Sequence, residues 1–452
     1  MQEFLSIFDA NDLLTTEGVA RFFRERTVNE VSTLVQGLRN AMNSEPRLAV
    51  PRDATPLDEA NFLPSASLRG SSGCADWECR LGKVDVLARY AALYSDKAIV
   101  PIKLRLPDVK GGRPAGPFSP YYDLEGSLLS VIRLRPLIEA GLVVLVPEEL
   151  HFCERHWDEA VPEHREIRRA ARRLANKSLC DFSVTYEHSP ALGLPLLRFE
   201  GPDRFLEHGS IIRTLSSVPS WVPKRKTAPL KLSQDLLRKH GVVTSLFQVM
   251  ANDAILQSYF GPAFNARYVT NLPGEIEFFS LLNERDELAR QTSALCARLT
   301  HTVPMLTDIP IERVLRLRRE EPEAFLSYRS ALTDIVKTYV SSRKSVGDAE
   351  AKDIYTDLLK PQLDLLQAKA KNTRSNQVKK SMLKVAASSA LVALGIYGGV
   401  LPANLGELVK MIGGFNVAKD LAEALGAIEK NPLEVRNHNL YFLLRLRQEA
   451  DR

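Results

Sequence analysis

Cys74 and Cys79 stand with four residues between them, Cys153 and His156 with two, and His151 lies just before the second pair. Thiolate and imidazole are the ligands zinc prefers, and two close pairs can complete a tetrahedron even when far apart in sequence. With Cys74, Cys79, Cys153 and His156 all bound, the site would be structural, with no open position for catalysis. The 73-residue gap between the pairs is not a standard ribbon spacing, so ordinary thiols and surface imidazoles are the competing reading.

Other chemistry is weaker. Gly82-Lys83 ends a run that fails as a phosphate-binding loop: Trp77 stands where a glycine is needed and Val84 where a magnesium-binding hydroxyl belongs. No GxGxxG opens a helix, and neither HExxH nor a GxSxG elbow occurs. Asp76, Glu78 and Arg80 are faintly similar to the acidic-acidic-basic set of metal-dependent nucleases, but arginine stands where lysine is expected.

Cationic chemistry is better represented. In EHREIRRAARRLANK (163–177), Arg165, Arg168, Arg169, Arg172 and Arg173 fall on one side of a helix, with Ile167, Ala170, Ala171 and Leu174 on the other. Five guanidinium groups on an anchored helix suit a polyanion, either a nucleic acid or anionic lipid. The plainer reading is a solvated face paired with acids such as Glu163 and Glu166. Lys224, Arg225 and Lys226 follow Trp221 in a Pro- and Lys-rich connector and extend the same polyanion-binding expectation.

Residues 385–401 (VAASSALVALGIYGGVL) carry no charge, and the basic run from Lys369, including Lys379, Lys380 and Lys384, leads into them. Seventeen helical residues span about 25 Å, short of a hydrocarbon core of about 30 Å. The segment and the amphipathic run after Pro402 therefore read as an apolar Gly/Ala-rich hairpin over 385–428, either buried or able to meet a membrane or partner. Lys379, Lys380, Lys384, Leu391, Leu394, Ile396 and Tyr397 are its candidate contacts.

The elements that must position these groups divide the 452 residues into segments. An N-terminal helical segment (1–45) holds one amphipathic helix over 17–42, with apolar residues recurring from Val19 to Met42. A long Pro/Gly-rich loop over 44–73 opens a small α/β domain (46–210) with a strand at 98–104, where Pro101 suggests an edge or a bulge. A helix at 123–141, bent or ended by Pro136, and a strand at 142–147 complete a parallel βαβ unit. Strands at 180–188 and 194–200 form a hairpin. A connector (211–231) leads to an all-α domain (232–452). The fold class expected is α+β, mostly helical: an N-terminal α/β domain with a small mixed sheet, then an all-α C-terminal domain.

Lys and Arg total 60 against 55 Asp and Glu, so the net charge of +5 identifies no nucleic-acid binder by itself. Five scattered cysteines argue against a disulfide framework and for a reducing compartment, and the first residues lack a basic secretory start. The expected location is the cytoplasm, peripheral to the inner membrane if the hairpin engages lipid. The function favoured is a non-enzymatic regulatory or interaction protein of prokaryotic type, in its sharpest form a stress or phage-defence effector with a membrane-active C-terminal hairpin. Its expected partners are another protein or a second copy, and an anionic membrane. The alternatives are a nucleic-acid-binding protein using 165–177 and 223–231, or a metal-dependent hydrolase or nuclease. Structural zinc is the one cofactor the residues suggest.

Overall fold

The computed structural model describes residues 1–44, 61–71, 77–106, 121–189, 194–206, 209–215, 219–222, 229–270, 272–282, 310–323 and 325–326. The chain divides into two compact units, the first made of Met1–Ala54, Asn61–Ala88 and Lys97–Leu282. It opens with helices α1 (Gln2–Ala10), α2 (Thr16–Glu25) and α3 (Val28–Ser44). The single amphipathic run expected over 17–42 is two helices. Thr27 and Glu30 form a reciprocal capping box: Thr27 N donates to Glu30 Oε2 at 2.8 Å and Glu30 N to Thr27 Oγ1 at 3.3 Å. That local bonding satisfies the first amides of a new helix and so breaks the old one. The apolar positions Val19, Phe22, Val31, Leu34, Val35, Leu38 and Met42 are all buried, as the periodicity requires.

Next come β1 (Asn61–Pro64), α4 (Trp77–Tyr94), β2 (Lys97–Ile102), α5 (Tyr122–Glu139) and β3 (Val143–Pro147). After α6 (Glu154–Ala160) and α7 (His164–Lys177) lie β4 (Ser183–Ser189), β5 (Leu194–Glu200), β6 (Ser210–Thr214) and β7 (Leu230–Lys231). The unit ends with α8 (Gln234–Lys239), α9 (Thr244–Phe264), β8 (Ala266–Val269) and α10 (Pro273–Leu282). These strands form two four-stranded sheets, not one small mixed sheet. One is parallel in the order β3-β2-β1-β8, and the other antiparallel in the order β6-β5-β4-β7. The class is α+β.

The expected βαβ unit is β2-α5-β3, paired from Ala98↔Val143 to Ile102↔Pro147. Pro101 lies in an inner strand, not at an edge. Its imide nitrogen is tolerated because β1 pairs with β2 only at Lys97 and Ala98, so on that side the ladder has ended. A buried arginine fills the gap instead: Arg69 Nη1 donates to the Pro101 carbonyl at 3.1 Å.

The expected hairpin is β4-β5, in register from Ser183↔Glu200 to Ser189↔Leu194. One core joins the antiparallel sheet to α7 and α9. Val184, Tyr186, Leu197 and Phe199 from the strands meet Ile167, Ala171 and Leu174 of α7 and Phe247, Met250 and Ala251 of α9.

Residues 44–73, read as a loop, contain β1, and residues 232–282, read as part of an all-α domain, contain β8. The α/β unit therefore continues to Leu282. Asn265 explains the second change: it sits in the left-handed region (φ 48°, ψ 41°), stops α9 after Pro262, and turns the chain at once into β8.

The second unit gathers 55–60, 89–96 and 283–452. In it α11 (Ile311–Glu320) carries Arg318, which donates to the carbonyls of Ala92 at 2.7 Å and Ser95 at 3.1 Å and lies over the Phe325 ring at 3.9 Å. Burial lowers Arg318 to about 10. The 385–428 hairpin, with Lys379, Lys380, Lys384, Leu391, Leu394, Ile396 and Tyr397, lies outside the described residues, as do Lys224, Arg225 and Lys226. Among the described residues, no helix is long and apolar enough to cross a membrane.

Candidate functional site

The carboxyl ends of the parallel strands collect most of the buried charge. Arg69, on the turn after β1, is 3% exposed and Asp253, within α9, is 1% exposed, so each needs a charged or hydrogen-bonded partner. Arg69 Nη2 donates to Asp253 Oδ1 at 2.6 Å and Arg69 Nε to the Pro64 carbonyl at 3.1 Å, in addition to its bond to Pro101. Asp253 Oδ2 accepts from the Ala66 amide at 2.7 Å and from the Tyr268 hydroxyl at 3.0 Å. One ion pair thus ties β1, β2, α9 and β8 together. Gly70, at φ +67°, lets the chain turn away, and the Arg80 guanidinium holds the Gly70 carbonyl.

Glu275 of α10 completes the cluster. Its Oε2 meets the Tyr268 hydroxyl at 2.9 Å and also the Thr270 hydroxyl, and Glu275 is 2% exposed. A phenol has one proton, yet Tyr268 faces a carboxyl oxygen on either side. Asp253 is compensated by Arg69 and the Ala66 amide, so Glu275 is the carboxyl that keeps a proton. Its proton goes to the Tyr268 oxygen, and the Tyr268 proton goes to Asp253. Burial, reinforced by Asp253, pushes Glu275 up to about 8. Burial also raises Asp253 against the pull of Arg69, and Tyr268 stays protonated.

The cluster reaches a cleft through Glu148, which follows β3 and has Oε2 3.4 Å from Arg69 Nη1. Burial raises Glu148, and Arg69 opposes the shift. The cleft has a volume of about 640 Å³. Lys103 and Arg105 come to it from the end of β2, His151 from the end of β3, Arg39 from α3 and Arg168 from α7. Trp157, Leu150, Ile255 and Leu256 form its apolar wall. A crevice at the carboxyl ends of parallel strands is where open α/β sheets bind ligands.

Its cations differ in what holds them. Lys103 pairs with Asp123 at 2.6 Å and Arg105 with Glu149 at 3.5 Å. Arg39 and Arg168 make no ion pair among the described residues.

The helix 163–177 is where the sequence placed it, and Ile167, Ala170, Ala171 and Leu174 are buried. Its five arginines do not form one open surface. Arg165 pairs with Glu154 at 3.2 Å and Asp158 at 3.0 Å on α6, while Arg169 and Arg173 pair with Glu166 at 3.1 and 2.6 Å. Arg168 and Arg172 are left, and Arg168 faces the cleft.

Of the zinc set, Cys74 lies outside the described residues. Cys79 is exposed in the first turn of α4, and Cys153 Sγ lies 3.3 Å from His156 Nδ1. His151 is 3.7 Å from Glu149. Among the described residues, no three His, Cys, Asp or Glu side chains are grouped to hold a metal ion. Asp76 also lies outside them, and Arg80 is buried, with its guanidinium 4.3 Å over the Trp77 ring.

Sequence reasoning missed Arg69, Asp253, Tyr268, Glu275 and Arg39. One signal was present: Asp253 is the only charged residue in the 21 residues of α9, which otherwise read as buried. No protein-family model matches the chain, and no curated protein or solved structure matches it either.

Proposed function

We propose that this is a regulatory or interaction protein whose α/β unit binds a small anionic ligand in the cleft beyond β2 and β3. The observation that carries this reading is that Arg39 and Arg168 border a 640 Å³ cleft without an ion pair among the described residues. Guanidinium groups fit phosphate or carboxylate with two parallel donors, and such a fit gains most in a partly dry site. The volume lies within the range of about 300–1,000 Å³ typical of small-molecule sites. The buried Arg69–Asp253 pair supports the reading by fixing α9, and with it Ile255 and Leu256, against the strand ends.

A small anion is favoured over a polynucleotide, because Arg165, Arg169 and Arg173 are already paired with acids. Titration calorimetry with pyrophosphate tests the reading. Arg39→Gln and Arg168→Gln should each weaken binding by about tenfold or more, since a hydrogen bond to a charged group contributes about 1.5–3 kcal/mol. Unchanged affinity in both variants would refute it. Duplex DNA binding with a steep salt slope, without pyrophosphate binding, would favour the polyanion reading instead.

A further inference from the structure

The cleft shares part of its wall with a second space. A chamber of about 1050 Å³ adjoins it, with Arg39, Glu149, Leu150 and His151 common to both boundaries. Its walls include Met42 of α3, Ile138 of α5, Val144 of the outer strand β3, and Tyr259 and Phe264 of α9. Val144, Tyr259 and Phe264 are apolar or aromatic groups only partly buried, packed on the small core around Leu63, Ile99 and Phe260. A run of touching aromatic rings passes from the wall of one space to the wall of the other. Trp157 meets Phe152 at 5.3 Å, Phe152 meets Tyr259 at 5.5 Å, and Tyr259 meets Phe260 at 4.9 Å.

Charge selects what fits. Beyond the shared boundary, the charged groups on the chamber wall among the described residues are the Met1 amino terminus and Lys97. The cleft end carries Arg39 and Arg168, neither with an ion pair among the described residues. An occupant that is anionic at the cleft end and apolar beside Val144, Tyr259 and Phe264 matches these walls.

We infer that the two adjoining spaces hold one anionic amphiphile, a hydrocarbon chain with a phosphate or carboxylate head. Its head lies between Arg39 and Arg168, and its chain runs past Phe152 and Tyr259 along the outer strand β3. The inference rests on the anion-binding reading above and adds the apolar half of the ligand. Glu149, on the shared boundary, pairs with Arg105 at 3.5 Å, so its charge is met by that guanidinium and not by the head.

The test is the affinity of monomeric alkyl phosphates, from butyl to decyl, for the full chain, measured by calorimetry. Affinity should rise about fourfold per added methylene until the chamber is full, the factor corresponding to about 0.8 kcal/mol per buried methylene. Val144→Thr, nearly the same shape but with a hydroxyl, and Tyr259→Ser should each flatten that rise. Should either variant fail to fold, the chain-length series on the unaltered protein still decides. Pyrophosphate and butyl phosphate binding equally well, with no gain from longer chains, would overturn the amphiphile and leave the anion site standing. No binding of any of these probes would overturn both. Flotation with phosphatidylglycerol vesicles, without binding of monomeric decyl phosphate, would mean a membrane surface is the ligand and would overturn the inference.

Discussion

Replacing Glu275 with glutamine tests the buried proton that the geometry requires. In the folded chain Glu275 holds its proton to about pH 8, while an unfolded glutamate releases it near 4.5. Between those values the folded state binds more protons than the unfolded one, so stability must fall as pH rises. The contribution is complete below about 4.5 and is gone above about 8. A difference of about 3.5 units at 1.36 kcal/mol each comes to about 5 kcal/mol for the coupled Asp253–Glu275 pair. Glutamine has nothing to release, and its amide can donate to Tyr268 as the protonated acid does.

Urea unfolding followed by circular dichroism at half-unit steps from pH 5 to 9 reads this directly. The variant should match the unaltered protein near pH 5. It should gain on it by up to about 1.4 kcal/mol per pH unit, becoming several kcal/mol more stable by pH 8.5. A stability difference that does not change with pH would refute the assignment of the proton to Glu275.

Three further outcomes rest on buried contacts elsewhere in the unit. Asp253→Asn leaves Arg69 with only Glu148, 3.4 Å away, and should cost about 3 kcal/mol in chemical denaturation, the low end for breaking a buried pair. Arg69→Leu combined with Asp253→Leu should cost clearly less than the sum of the single changes, because neither charge is then left alone. Gly126→Ala in α5 places a methyl inside the Trp77 ring. Overpacking of about 1–3 kcal/mol should outweigh the helix-propensity gain of about 1 kcal/mol and lower the melting temperature.

Local periodicity made several elements legible. Five arginines and four apolar residues at helical spacing placed α7 and its buried face, and alternating strands around Ser189 and Leu194 placed the β4-β5 hairpin. The run at 98–104, apolar except for Lys103, and the apolar run at 142–147, joined by a helix, marked parallel strands. Each of these signals lies within one stretch of chain, where the spacing of side chains alone decides which face is buried.

The sequence by itself therefore determined the α+β character, α7, the β2-α5-β3 unit and the β4-β5 hairpin. Tertiary structure decided the rest. β1 and β8 are four-residue strands too short to show a period, and they exist because each is hydrogen-bonded to the other from Asn61↔Ala266 to Pro64↔Val269. Arg69 and Asp253 are 184 residues apart, and nothing near either one in sequence names its partner. The cleft has the same origin: Arg39, Lys103 and Arg168 come from α3, the end of β2 and α7. Only the folded chain brings them to one rim, because burial and charge pairing act across space without regard to separation along the backbone.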